Sequence, residues 1–138
     1  MSSQLAITRS YYFSAAHRLH TPQLSDEANQ KIFGKCNNLN GHGHNYTVFV
    51  TVNQKNDSRP HEPLDCASLD RFVTRHIVER FDHQHLNYDP AFDGVVTTGE
   101  NLAKLIWELL VDELPVGTLQ KIGVLETRDN YFEYVGDR

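Results

Sequence analysis

Two histidines one residue apart, His42-Gly43-His44, open an apolar, β-branched run, Tyr46-Thr47-Val48-Phe49-Val50-Thr51-Val52. Residues two apart in a strand point to the same face, so this run specifies a strand and sets two imidazoles side by side on it. His17 ends a second strand-like run that begins at Ile7 and passes through Tyr11-Tyr12-Phe13-Ser14-Ala15-Ala16. If the two strands pair, three neutral imidazoles converge. Three protein nitrogens with an open fourth position is the donor set of a catalytic zinc. Gly41 and Gly43 flank His42 and leave the backbone free to turn there. With eight histidines in the chain, some proximity arises by chance, and a single His-x-His is a weak signal. The weight comes from His17 at a strand end and from Cys36 just upstream of the pair.

A chain of 138 residues is expected to form one domain, 1–138, small enough that oligomerisation would help stabilise it. Its net charge of −5 argues against nucleic-acid binding, which needs a basic surface. Met1-Ser2-Ser3-Gln4 has neither a basic nor an apolar leader character, and no stretch reaches the length of a membrane span. The two cysteines, Cys36 and Cys66, stand in different settings. A disulfide framework is therefore not expected, and a reducing, cytoplasmic location is.

The periodicities predict strands over Leu5 to Ala16 and Asn45 to Asn53, joined by a long segment, Arg18 to Gly43, of the kind that usually carries function. A polar turn region, Gln54 to Pro63, follows. A helix is predicted from Ser68 to Phe81, with Leu69, Phe72, Val73, Ile77 and Phe81 on one face. Cys66 precedes it and reads as a small buried apolar residue. A second helix opens at Thr97-Thr98-Gly99-Glu100, where either threonine can cap it and Glu100 suits the dipole. Its stripe is Leu102, Leu105, Ile106, Leu109 and Leu114, and Pro115 ends it. Trp107 lies beside the stripe as a packing residue. Strands Lys121 to Thr127 and Tyr131 to Val135 close the chain around an Arg128-Asp129-Asn130 turn. The order ββααββ predicts an α+β fold, an antiparallel sheet with two helices on one face.

Further residues carry chemistry. Cys36, in Gly34-Lys35-Cys36-Asn37-Asn38, is activated if nearby positive charge lowers its pKa; otherwise it is a buried loop cysteine. Asp82 precedes His83, and an Asp–His pair can polarise an imidazole for proton transfer; His83 and His85 also read as histidines at a helix C-terminus. Glu126 shares a strand face with Ile122 and Val124. Facing inward, it needs a partner, either a salt bridge or a ligand with adjacent N–H donors.

Phe13-Ser14-Ala15-Ala16-His17-Arg18-Leu19, then Gly34 through Tyr46, then Asp82-His83 with Leu86-Asn87, Thr98-Gly99-Glu100-Asn101 and Leu125-Glu126-Thr127 together resemble the 6-pyruvoyltetrahydropterin synthase family. The likeness spans nearly the whole chain, and the combined motifs are far more specific than any one. It implies a tunnelling fold (T-fold), in which trimers form a barrel and two trimers stack into a homohexamer. It implies zinc on His17, His42 and His44. Cys36 would be the general base, with Asp82 and His83 from a neighbouring subunit. Glu126 would anchor the pterin ring with help from Thr98, and the substrate would be 7,8-dihydroneopterin triphosphate. Arg18, Lys31 and Lys35 are candidates to receive the triphosphate.

Two positions depart from that pattern: Leu39 stands where animal relatives often carry proline, and Gly99 replaces a second threonine. A sister branch, the 6-carboxytetrahydropterin synthases of the queuosine pathway, resembles this one in substrate, zinc and cysteine, although Asn37-Asn38 and Asn40 look more like the biopterin branch. Outside the family, a zinc hydrolase lacks a clearly placed carboxylate base beside the histidines. A non-catalytic zinc- or pterin-binding module would bind ligand without releasing triphosphate.

Overall fold

The computed structural model describes residues 5–37, 41–54, 64–128 and 130–136, the side chain of Cys36 excepted. The predicted strands form, with shifted ends. Strand β1 is Ala6–His17 and β2 is His42–Asn53. They pair antiparallel along their whole length, with Tyr11 opposite Val48, Phe13 opposite Tyr46 and His17 opposite His42. Strand β2 starts three residues before the predicted Asn45, so His42 and His44 belong to the ladder itself. Only one of the two glycines flanking His42 is required by the backbone. Gly41 has φ 77°, and a β-carbon there would lie 2.9 Å from the His17 carbonyl oxygen; Gly43 has open space around it.

The segment between β1 and β2 is not a plain loop. It carries helix α1, Asp26–Phe33, and a 3-10 turn, Gly34–Asn37. Ser25 caps α1 by accepting the Ala28 N–H, and Asp26 and Glu27 lie in its first turn. Asn29 is its only buried residue. The Asn29 carboxamide accepts from Thr21 N–H at 2.7 Å and donates to the carbonyls of Thr21 and Ser25 at 2.9 and 3.0 Å. Polar bonds rather than an apolar stripe therefore tie the helix down.

Helix α2 (Cys66–Val73) is capped by Asp65, runs through a π-helical turn, Thr74–Val78, and ends in α3 (Glu79–Phe81). Cys66 is inside the helix and only half-buried, not the buried residue predicted before its start. After α3 a two-residue strand, β3 (Gln84–His85), pairs parallel with β1. His85 is therefore a sheet residue, not a helix C-terminus, and its ring stacks on Tyr88 at 4.6 Å. Helix α4 (Gly99–Leu110) is capped by Thr98 and stops well before Pro115, with Ala103 and Leu110 buried beside Leu102 and Ile106. Strands β4 (Thr118–Glu126) and β5 (Asn130–Tyr134) complete an α+β sheet of order β3-β1-β2-β4-β5. Asp129 of the predicted turn, Leu39, Asn38 and Asn40, and most of the polar region after Gln54, lie outside the described residues.

One face of the sheet is buried. Tyr11, Phe13 and Ala15 of β1, Tyr46, Val48, Val50 and Val52 of β2, and Ile122 and Val124 of β4 pack with Leu69, Val73, Ile77 and Phe81 from the first helical run and Leu102, Ile106 and Leu110 from α4. Phe13 stacks on Tyr46 at 5.2 Å and tilts against Phe81 at 5.7 Å. Trp107 meets Tyr134 edge-on at 5.6 Å, the packing role its place beside the stripe implied. The period-2 alternation that buries these residues carries His17 and Glu126 to the end of the same face.

Candidate metal centre and active site

His17 ends β1, His42 faces it across the ladder, and His44 lies two residues further along β2, opposite Ala15. The three rings meet with centroids 4.9, 4.9 and 4.4 Å apart, and one nitrogen from each lies within 4.8 Å of the others. His17 is fully buried, and its Nδ1 sits 2.8 Å from the Thr97 carbonyl oxygen. A carbonyl only accepts, so Nδ1 carries the proton and Nε2 presents a bare lone pair. That Nε2 is buried and has no partner among the described residues. The Nε2 atoms of His42 and His44 are 2.6 Å apart.

Burial, more than the neighbouring histidines, pushes the His17 imidazole down to about 4. Burial and then His44 lower His42 as well. Desolvation disfavours imidazolium, and the neutral imidazole that results is the form that binds a metal. A buried orphan lone pair and two converging Nε2 atoms are a donor set that suits a divalent ion of the zinc class.

Glu126 faces inward, 8% exposed, and its Oε1 lies 3.1 Å from His44 Nε2. The partner that its buried position demands is thus His44. Burial raises the Glu126 pKa, with His44 opposing the shift. Thr98 caps α4, its hydroxyl accepting the Asn101 N–H at 3.1 Å, one residue from the Thr97 carbonyl that holds His17.

Asp82 and His83 form the pair the sequence suggested: Asp82 Oδ2 is 2.9 Å from His83 Nδ1. The backbone of Ser14 holds both. Its N–H donates to Asp82 Oδ1 at 2.9 Å, and its carbonyl accepts the His83 N–H at 2.6 Å. The Ser14 N–H and then the His83 ring keep the Asp82 carboxyl below the usual range. His83 has φ 60°, an uncommon conformation for a residue other than glycine, and its side chain is 82% exposed. It lines a cleft of about 540 Å³ together with His44, Ser14, Asn45, His85 and Thr127. The structure therefore brings His17, His42, His44 and Glu126 together and opens His83 onto a cleft that His44, of these four, also lines. The backbone of Cys36 lies in the turn Gly34–Asn37, but its side chain is outside the described set.

Sequence reasoning missed two supporting residues. Thr127 places its hydroxyl 2.8 Å from His44 Nδ1. Asn87 braces the chain beyond His17, accepting the Arg18 N–H and donating to the Arg18 carbonyl, both at 2.8 Å. No local pattern marks either one. Both stand within motifs singled out in the sequence, Leu86-Asn87 and Leu125-Glu126-Thr127, but nothing there assigned either one a role. Among the described residues no helix is long and apolar enough to cross a membrane.

Known proteins resemble this chain in sequence and fold. The family model described as 6-pyruvoyl tetrahydropterin synthase matches residues 6–137. The human 6-pyruvoyl tetrahydrobiopterin synthase is 46% identical over 135 residues, covering 97% of this chain and 93% of that protein. The Drosophila melanogaster protein of the same name is 42% identical over 132 residues, covering 94% and 79%. The solved structure of Caenorhabditis elegans 6-pyruvoyl tetrahydropterin synthase superposes with a TM-score of 0.89 at 37% identity, covering 98% of this chain and 97% of that one. The shared architecture is the tunnelling fold expected from the motifs. On these matches the chain belongs to the 6-pyruvoyl tetrahydropterin synthase family.

Proposed function

We propose that this chain is a zinc-dependent carbon–oxygen lyase that converts 7,8-dihydroneopterin triphosphate to 6-pyruvoyltetrahydropterin with elimination of triphosphate. The observation that carries the proposal is the buried Nε2 of His17, unpartnered among the described residues, beside the paired Nε2 atoms of His42 and His44. It is joined by membership of a family whose relatives bear the synthase name. Residues 1–138 are taken as one pterin synthase domain, working in the cytoplasm as a homohexamer of two stacked trimers.

His17, His42 and His44 hold the ion. A zinc held there by three neutral imidazoles would keep its dipositive charge and would supply Lewis acidity that makes C–H bonds beside the substrate's side-chain hydroxyls easier to deprotonate. The Cys36 thiolate takes the proton, and the electron pair left on carbon expels triphosphate. Asp82 and His83 act as the proton relay for the later tautomerisation, serving a neighbouring subunit's cysteine. The bond between Asp82 Oδ2 and His83 Nδ1 supports this, because it fixes the ring's tautomer. Glu126 accepts the amino and ring N–H of the pterin, a pairing its buried carboxylate is suited to, with Thr98 assisting. Arg18, Lys31 and Lys35 receive the triphosphate.

The test is to load the metal-free protein with zinc, add dihydroneopterin triphosphate and identify the product by mass. Zinc-dependent release of triphosphate with the pyruvoyl product supports the proposal. A 6-carboxytetrahydropterin product moves the chain to the queuosine branch. Pterin binding without triphosphate release leaves a non-catalytic module.

A further inference from the structure

Each imidazole of the triad has one nitrogen for a metal and one left over. For His17 the left-over Nδ1–H goes to the Thr97 carbonyl, which admits no other tautomer. For His42 the left-over Nδ1 is buried without a partner among the described residues. His44 is different, because each of its two nitrogens already has an oxygen partner. Glu126 Oε1 stands 3.1 Å from Nε2, and Thr127 Oγ1 stands 2.8 Å from Nδ1. A proton on Nε2 satisfies Glu126 and blocks ligation. A proton on Nδ1 satisfies Thr127 and leaves the Nε2 lone pair available.

The backbone at Thr127 points the same way. Its φ is 56°, in the left-handed region, which β-branched residues avoid and glycine or asparagine fill readily. The Thr127 N–H donates to the Asn45 carbonyl at 2.8 Å, which pins the residue beside β2, one position beyond His44. A turn built for backbone comfort alone would not carry threonine here. In this conformation the Thr127 hydroxyl meets His44 Nδ1 at 2.8 Å.

We propose that Thr127 is a positioning residue for the metal centre, its hydroxyl bracing the His44 ring through Nδ1 and accepting the Nδ1 proton when Nε2 ligates. The inference rests on the reading of the triad as a metal site. Hydrogen bonds of this kind orient a metal-bound histidine and raise its basicity.

The experiment measures zinc dissociation constants of the metal-free full-length protein by competition with a chromophoric chelator, alongside its thermal melting. Thr127→Val and Thr127→Gly are expected to weaken zinc about 10–100-fold, and Thr127→Ser to stay within about threefold of wild type. Thr127→Gly is the control for folding. It relieves the left-handed strain while adding chain freedom, so its metal-free melting stays near wild type even as zinc is lost. Zinc bound as tightly by Thr127→Val and Thr127→Gly as by wild type overturns the inference, as does an equal loss in Thr127→Ser. If wild type binds no zinc, or His42→Ala binds it as well as wild type does, the metal reading itself falls and takes the inference with it.

Discussion

The ring of Phe132 in β5 fills the space that a β-carbon on Gly99, at the start of α4, would take. Gly99 is the position read from the sequence as replacing a second threonine, and the packing of Phe132 gives a reason for glycine there. A side chain there drives into an aromatic ring held between helix and sheet. Gly99→Thr should therefore destabilise the protein by about 1–3 kcal/mol, the usual cost of overpacking. Shrinking the ring in Phe132→Val should recover most of that loss in the double variant. Urea unfolding of the two single variants and the double variant measures the coupling; simple additivity would remove the packing explanation.

His42→Ala should strip metal and activity together. His42 faces His17 across the ladder, and its Nε2 meets that of His44. Removing it leaves two nitrogens, too few to hold a catalytic zinc in place. Metal analysis of the purified variant after zinc loading decides the point. Stoichiometric zinc would show that the ion sits elsewhere.

These two sites show what a linear reading can reach. The β-branched run after His44 and the alternation through His17 give the sheet, its buried face and the triad, because a period of two is written directly in residue order. Glu126 on the face of Ile122 and Val124 was legible for the same reason. Helix α1 was not. It buries Asn29 and nothing apolar, so its signal is a set of hydrogen bonds rather than a stripe. Strand β3 is two residues long and has no period to read. Thr127 supports a histidine 83 positions away through a hydroxyl and an unusual φ, both of which exist only once the chain is folded.

A pH-dependent ion pair should tie α3 to the turn beyond β3. Arg80 of α3 meets Asp89 with two hydrogen bonds, 3.0 and 2.8 Å long. The Arg80 guanidinium holds the Asp89 carboxyl below its usual range, despite some burial. A carboxylate with a depressed native pKa stabilises the fold above its unfolded pKa, about 3.9, and loses that contribution as pH falls through the native value. Asp89→Asn should thus cost about 1.5–2 kcal/mol at neutral pH, the low end of the range for hydrogen bonds to charged groups because Arg80 is partly exposed. The gap from wild type should narrow steadily below about pH 4. Paired urea unfolding curves at matched protein concentration follow it; a gap that persists unchanged into acid would deny the ion pair its role.

The exposed dyad leads to the last expectation, that the active site is shared between subunits. His83 is 82% exposed, yet a left-handed backbone and the Ser14 carbonyl hold it in place, and its ring is bonded to Asp82. A solvent-facing side chain gains nothing from such strain unless something outside the subunit needs it there. If that partner is the Cys36 of a neighbour, Cys36→Ala and His83→Ala proteins, each inactive alone, should regain activity when mixed. A mixed interface then pairs an intact Cys36 with an intact Asp82-His83. Random exchange of equal amounts leaves about a quarter of the sites intact, since each half is present with even odds, so recovery should approach that fraction. Mass spectrometry of intact assemblies verifies exchange independently. Exchange without recovery would mean that Cys36 and His83 serve one site within one chain.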